Sequence, residues 1–212
     1  MTKRSRSSKH WLERQKRDQF SKMARKHGHP SRAHYKLKQL DERFGLFIDA
    51  KNVLELGGAP GGWTQYIEEK ISRYGRLITV DPLEVKTGEN SIHVAGRVGS
   101  ECVDRRISEI LNGLRIDVVL SDMAPNISGI RSRDQAESAR LNDLTIDLVR
   151  KYLKSGGSVV MKTFQGPGVV KLVEEMENYF SSVRIVKPEA SRKVSSEIYV
   201  VAQGFRAAGL LI

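Results

Sequence analysis

Residues 53–66 read Val-Leu-Glu-Leu-Gly-Gly-Ala-Pro-Gly-Gly-Trp-Thr-Gln-Tyr: a short apolar run, a loop with four glycines and one proline, and a helical start. Without a Cβ, glycine lets the backbone turn sharply and approach a ligand closely. Strand, glycine-rich turn and helix N-terminus in succession form the nucleotide cradle of a doubly wound sheet. The dinucleotide pattern G-x-G-x-x-G does not fit, because Ala59 and Pro60 stand where a second glycine would fall. A nicotinamide dehydrogenase is therefore disfavoured. The simpler alternative is a tight strand-to-helix turn that holds nothing, but the length of the glycine run and the strand before it favour a ligand.

The rest of the chain alternates strand and helix. Strands are expected at Asn52–Leu56, Arg76–Val80, Ser91–Ala95, Ile116–Leu120 and Ser158–Lys162, and two late ones at Ser182–Lys187 and Glu197–Ala202. Helices are expected from Ser31 as cap to about Arg43, at Trp63–Arg73, Glu101–Asn112, Asp134–Leu153 and Val169–Phe180, with Ser155-Gly156-Gly157 ending the fourth. Such alternation predicts an α/β fold with a mostly parallel, doubly wound, seven-stranded sheet covered on both faces. The final two strands have no helix between them, which predicts an antiparallel edge.

Charge divides the chain unevenly. Residues 1–40 hold 13 basic residues against Glu13 and Asp18, whereas the other 172 carry 23 of each sign. The whole excess of +11 thus belongs to the N-terminal segment. Residues 1–30 lack apolar periodicity and are expected to form a flexible basic arm, with 31–212 as the catalytic domain. Trp11, Phe20, His34 and Tyr35 interleave aromatics with these charges, a composition suited to RNA. A solvated tail or a basic address is the alternative. Cys102 is the single cysteine, so no intrachain disulfide or cysteine cluster can form and a cytoplasmic location is expected. No metal site and no membrane segment is expected, and a monomer is.

Ligands of such sheets lie beyond the carboxyl ends of the strands. The residues at those ends are Gly57, Gly58, Pro60, Gly61 and Gly62 after strand one, Asp81 after strand two, Asp122 after strand four and Lys162 at strand five. Asp81 follows Gly61 by twenty residues, the separation suited to a carboxylate that accepts from ribose hydroxyls. Trp63 either packs beside the nucleoside or is a core aromatic, and contact is slightly favoured.

Four short segments add a resemblance. Lys36 in Ser-Arg-Ala-His-Tyr-Lys-Leu, Asp122 in Ser-Asp-Met-Ala-Pro-Asn, Lys162 in Val-Val-Met-Lys-Thr-Phe and Glu197 in Ser-Ser-Glu-Ile-Tyr resemble the Lys-Asp-Lys-Glu tetrad of FtsJ-type ribosomal RNA ribose 2′-O-methyltransferases. The Glu-Leu-Gly-Gly-Ala-Pro-Gly-Gly-Trp loop is similar to theirs too, and the likeness spans about residues 30–204. It implies a Rossmann-like fold, S-adenosylmethionine (SAM) as cofactor, and a uridine ribose of large-subunit (23S-type) RNA as target. The partner is then ribosomal RNA, expected within the large ribosomal subunit. Another RNA, such as a tRNA, and a non-catalytic RNA-binding module are the alternatives. One departure is Ala95-Gly96-Arg97 where the family has Gly-Asp, an acid that contacts the adenine amino group. Arginine only donates, so Arg97 enters the cofactor site without that bond, and backbone or another side chain such as Glu101 has to supply it.

The chemistry asks something definite of the tetrad. A free lysine is protonated at neutral pH, with a pKa of about 10.4, and becomes a base only where burial and a second cation favour its neutral form. Lys162 closes an apolar strand and Lys36 is the second cation. Asp122 and Glu197 orient the amines and the hydroxyl while opposing that effect. Two ordinary ion pairs are the plain alternative.

Overall fold

The computed structural model describes residues 18–71 and 73–207. Among these, the elements in chain order are α1 (Gln19–His27), α2 (Ala33–Phe44), β1 (Asn52–Leu56), α3 (Gly62–Lys70), β2 (Arg76–Asp81), β3 (Ser91–Ala95), α4 (Glu101–Leu111), β4 (Ile116–Ser121), α5 (Arg131–Tyr152), β5 (Leu153–Phe164), α6 (Gly168–Tyr179), β6 (Phe180–Val186) and β7 (Glu197–Phe205). The seven strands form one sheet in the order β3-β2-β1-β4-β5-β7-β6.

Strands β1, β2 and β4 are buried almost throughout, as near-continuous apolar runs must be when helices cover both faces. Alternation along β1 divides the core. Leu54 and Leu56 pack with Val103 and Ile107 of α4, Val149 of α5 and Met176 of α6. Val53 faces the other way, into a layer with Leu37 and Leu40 of α2 and Trp63 and Ile67 of α3. The order reverses between β1 and β4, and the opening of the cleft falls at this point.

The late hairpin forms the antiparallel edge expected of it. β7 is antiparallel to both its neighbours and sits between β5 and β6, so the outermost strand is β6. Register Lys162↔Tyr199 and Phe164↔Glu197 places the beginning of β7 beside the end of β5. Glu197, at a strand start, therefore reaches the same rim as the carboxyl ends of the parallel strands.

Several boundaries shift. β5 begins at Leu153, directly after α5, and the Lys154–Gly157 segment is a bulge within it, where pairing jumps from Ile116↔Leu153 to Val118↔Ser158. The glycines that read as a break absorb that extra chain instead, Gly156 at φ +77°. α3 ends at Lys70, because Ile71 is already extended. Helix α2 starts at Ala33, and the Ser31 hydroxyl accepts from the Ala33 amide at 3.2 Å.

The N-terminal segment needs a larger correction. Residues 1–17 lie outside the described residues, but 18–30 are not a flexible arm. Asp18 caps α1 by accepting from the amides of Phe20 (3.1 Å) and Ser21 (3.4 Å), and Gly28 ends it in a left-handed conformation. Ala24 is buried with Tyr35 and Ala190, and Phe20 packs against them. This two-residue apolar stripe was hidden among Lys22, Arg25 and Lys26, which stay exposed. No helix among the described residues is long and apolar enough to cross a membrane.

Candidate active site

Four side chains from four elements meet at the strand ends. Lys36 projects from α2, Asp122 follows β4, Lys162 stands near the end of β5 and Glu197 opens β7. Lys162 Nζ lies 3.0 Å from Asp122 Oδ1 and also donates to the Asp122 backbone carbonyl. Lys36 Nζ lies 2.7 Å from Glu197 Oε1. Each lysine is only 9% exposed, so neither pair is a solvated surface bridge. The tetrad expected from the sequence is assembled as two buried ion pairs.

Tyr199 joins the pairs, and nothing in the sequence pointed to it. Its hydroxyl donates to Asp122 Oδ1 at 2.8 Å, and Lys36 Nζ stands 5.8 Å from its ring centroid. Burial, together with Asp122 and Glu197, pushes the Tyr199 phenol well above its ordinary value, which keeps it a neutral donor. Burial on its own would raise the Asp122 carboxyl. The charges of Lys162 and Lys36 and the hydrogen bonds from Lys162 and Tyr199 outweigh it, and Asp122 stays below the usual carboxylate range.

Beneath them lies Glu55, the acid of the glycine-loop segment, with no exposed surface. It accepts from the Thr64 hydroxyl at 2.6 Å, while its Oε1 has no partner. Burial pushes its carboxyl up to about 7, with Asp122 adding to the rise and the Thr64 hydrogen bond opposing it.

Two clefts open on Lys162. The first, about 610 Å³, runs from Gly57 and Ala59 past Asp81 to Arg97 and Asn126. Its wall includes Leu83, Val98, Met123 and Leu141, apolar surface suited to a flat ring. Gly57 adopts φ +80°, and a Cβ there would come within 3.0 Å of the Met123 amide. Asp81 is nearly buried and each of its oxygens takes one backbone bond, Oδ2 from Ala59 N (3.0 Å) and Oδ1 from Leu83 N (2.8 Å). A carboxylate has about four acceptor positions, so capacity for two hydroxyls remains. The second cleft, about 580 Å³, lies between Ile127, Phe164 and Val194 and is floored by Lys162 and Glu197. Lys162 and Ala124 belong to both.

Several expected cofactor contacts fall elsewhere. The Trp63 ring is 2% exposed, donates to the Ala33 carbonyl at 2.9 Å and packs against Tyr199, so it is a core aromatic, not a wall of the cleft. A side chain at Gly58 would strike the Thr79 hydroxyl, and one at Gly62 the Ser31 hydroxyl, so these two glycines serve packing. Pro60 and Gly61 line a separate recess with Pro30 and Lys86. Arg97 does line the first cleft and is exposed. Glu101 does not; it stands exposed on α4, 3.5 Å from Arg105. Besides Asp81 and Asp122, one more acid lines this cleft: Glu137, held by Arg140 at 2.7 Å.

A doubly wound sheet with a glycine-lined cleft at its switch point places that cleft where sheets of this kind hold their ligands. Comparison with known proteins narrows this. Residues 30–205 match the family of FtsJ-like methyltransferases. The ribosomal RNA large subunit methyltransferase E of Stutzerimonas stutzeri is 42% identical over 204 residues, covering 96% of this chain and 99% of that one. The protein of the same name from Coxiella burnetii is 40% identical over 203 residues, covering 93% and 95%. The crystal structure of a ribosomal RNA methyltransferase from Plasmodium falciparum superposes with a TM-score of 0.74 at 29% identity, covering 84% of this chain and 98% of that one. The chain belongs to the FtsJ-like methyltransferase family, and it is an enzyme of methyl transfer.

Proposed function

We propose that the protein transfers a methyl group from SAM to the 2′-hydroxyl of a uridine ribose in large-subunit ribosomal RNA, acting as a monomer on the RNA within the subunit. The observation that carries this reading is Lys162, a buried amine in the wall common to two clefts. One cleft suits a donor and the other an acceptor, with the amine where they meet. The names of the relatives supply the class of RNA.

The first cleft fits SAM by its donor set. Asp81 retains acceptor positions for the ribose hydroxyls, the apolar wall takes the adenine, and Gly57 admits the chain beside Met123. When bound, SAM supplies the electrophilic methyl group. With Arg97 in the place of an acid, the adenine amino group is left to backbone carbonyls or to Glu137.

The protein's own work is at the hydroxyl. Only a neutral amine can take its proton, and in that form Lys162 Nζ still donates to the Asp122 carboxylate and carbonyl, which fix its direction. Lys36 holds Glu197, which lines the acceptor cleft, and adds a second positive charge near Asp122. Tyr199 keeps Asp122 from turning away. Phe164 gives the base an apolar surface, and the exposed Lys22, Arg25, Lys26 and Lys38 give the phosphates positive charge.

Incubation with methyl-labelled SAM and, in parallel, large ribosomal subunits, free ribosomal RNA and tRNA tests the reading. Label in a 2′-O-methylated nucleotide of the large subunit or its RNA is expected. Label in tRNA alone would move the substrate, and no label in any of them with SAM bound would make the chain a binding module.

A further inference from the structure

The Lys36–Glu197 pair rests on a loop, residues 187–196 between β6 and β7, that has no helix or strand of its own. Ser191 in this loop is 5% exposed, and its hydroxyl donates to Glu197 Oε1 at 2.8 Å, the oxygen that also meets Lys36. A serine on an unanchored loop could not direct a carboxylate. This one is anchored through its neighbour. The Ala190 amide donates to Gln39 Oε1 at 3.0 Å, and the Ala190 carbonyl accepts from Arg32 Nε at 3.1 Å. Arg32 is in turn paired with Asp18, the cap of α1, and Arg192 Nε approaches the same carboxylate to 3.8 Å. Ser191 N closes a turn on the Pro188 carbonyl at 2.8 Å.

We infer that Ser191 is a positioning residue for methyl transfer: pinned through Ala190 to α1 and α2, it fixes the rotamer of Glu197 and, through Glu197, the place of the Lys36 ammonium. The inference rests on the proposed reading of that ion pair. A glutamate side chain held at one oxygen by two donors loses the rotation that a single lysine contact leaves it. The Ser191 side chain itself lines neither cleft, so its effect belongs to turnover rather than to affinity.

The test is a double-mutant cycle on the full chain, with labelled SAM and the RNA substrate identified by the transfer assay. Ser191→Ala is expected to lower kcat about tenfold, the lower end for losing a hydrogen bond to a charged group, with KM for RNA and Kd for SAM within about twofold of wild type. In a Glu197→Gln background, Ser191→Ala should add less than about twofold, because Ser191 acts through the carboxylate already altered. A merely structural serine would lower kcat by the same factor in both backgrounds, and that result, or an unchanged kcat in Ser191→Ala alone, overturns the inference. Should Ser191→Ala melt below the assay temperature, Gln39→Ala, which frees the loop and leaves the hydroxyl, decides the matter in the same cycle with an expected loss of about threefold. Glu197→Gln by itself separates the two ideas. If it leaves transfer unchanged, the reading of the ion pair fails; if it is slow while Ser191→Ala is normal, only the role of Ser191 fails.

Discussion

Replacing Glu55 by glutamine is expected to flatten the pH dependence of stability between pH 4.5 and 8. Glu55 has no exposed surface, and one of its oxygens has no partner. Its folded-state pKa of about 7 stands above the ordinary 4.5, chiefly because burial penalises the carboxylate. Between those values the folded chain keeps a proton that the unfolded chain has released, so stability falls as pH rises. Below 4.5 both states hold the proton and the contribution is whole; above about 7 it is gone. At 1.36 kcal/mol per unit, the gap amounts to about 3 kcal/mol. Glutamine fills the same volume and never ionises, and its cost in missing or rearranged hydrogen bonds is the same at every pH. The quantity to measure is therefore the difference between variant and wild type by equilibrium urea denaturation at pH 4.5, 6 and 8. That difference should shift by about 3 kcal/mol in favour of Glu55→Gln from the lowest to the highest pH. Parallel profiles for the two proteins would refute the argument, since they would mean that Glu55 ionises as easily folded as unfolded.

Other variants address the site and the N-terminus. Lys162→Ala should reduce methyl transfer by about 10²-fold or more with SAM affinity nearly intact, and Lys162→Arg should fail equally, because guanidinium stays protonated; calorimetry and single-turnover assays with normal rates in either would remove Lys162 as the base. Asp81→Ala should weaken SAM binding by about 1.5–3 kcal/mol, and an unchanged Kd would show that its carboxylate serves only Ala59 and Leu83. Deleting residues 1–17 removes Lys3, Arg4, Arg6, Lys9, Arg14, Lys16 and Arg17 and should reduce the salt slope of RNA binding by about 0.7–0.9 for each phosphate no longer neutralised; equal slopes at several salt concentrations would clear this segment of RNA binding. Deleting 1–28 also takes Asp18 and α1, and should lower stability by at least the roughly 1 kcal/mol of a helix cap, visible as an earlier melt than that of the shorter deletion.

Much of the site was readable because strand ends converge. Asp81, Asp122 and Lys162 each close an apolar run, and in a doubly wound sheet such positions share one rim. Glu197 begins a run instead. Only the antiparallel insertion of β7 brings it to that rim, and strand order is not written in an alternation of helices and strands. Trp63 misled for a different reason: the direction of a ring in the first turn of a helix depends on what packs there, and the Ala33 carbonyl took its N–H. Tyr199, in a run of Ile-Tyr-Val-Val, reads as core and is core, except for its hydroxyl. Ser191 lies in a polar loop where one serine looks like another. The helix at 19–27 is not legible in the sequence because its apolar stripe is only Phe20 and Ala24, and what fixes it is packing against Tyr35 and Ala190, distant in sequence.

The place of β7 has a consequence for how the molecule is assembled. On a growing chain, β5 and β6 are complete before Glu197–Phe205 exists, and each then presents a row of unpaired backbone groups to the gap that β7 will fill. Open edges of this kind invite pairing with other chains. Among the described strands, the sheet is thus closed from within by the latest in the chain, as a keystone closes an arch, and the same insertion delivers Glu197. The first cleft is lined by residues between 57 and 162, whereas the second also needs the start of β7 and the loop before it.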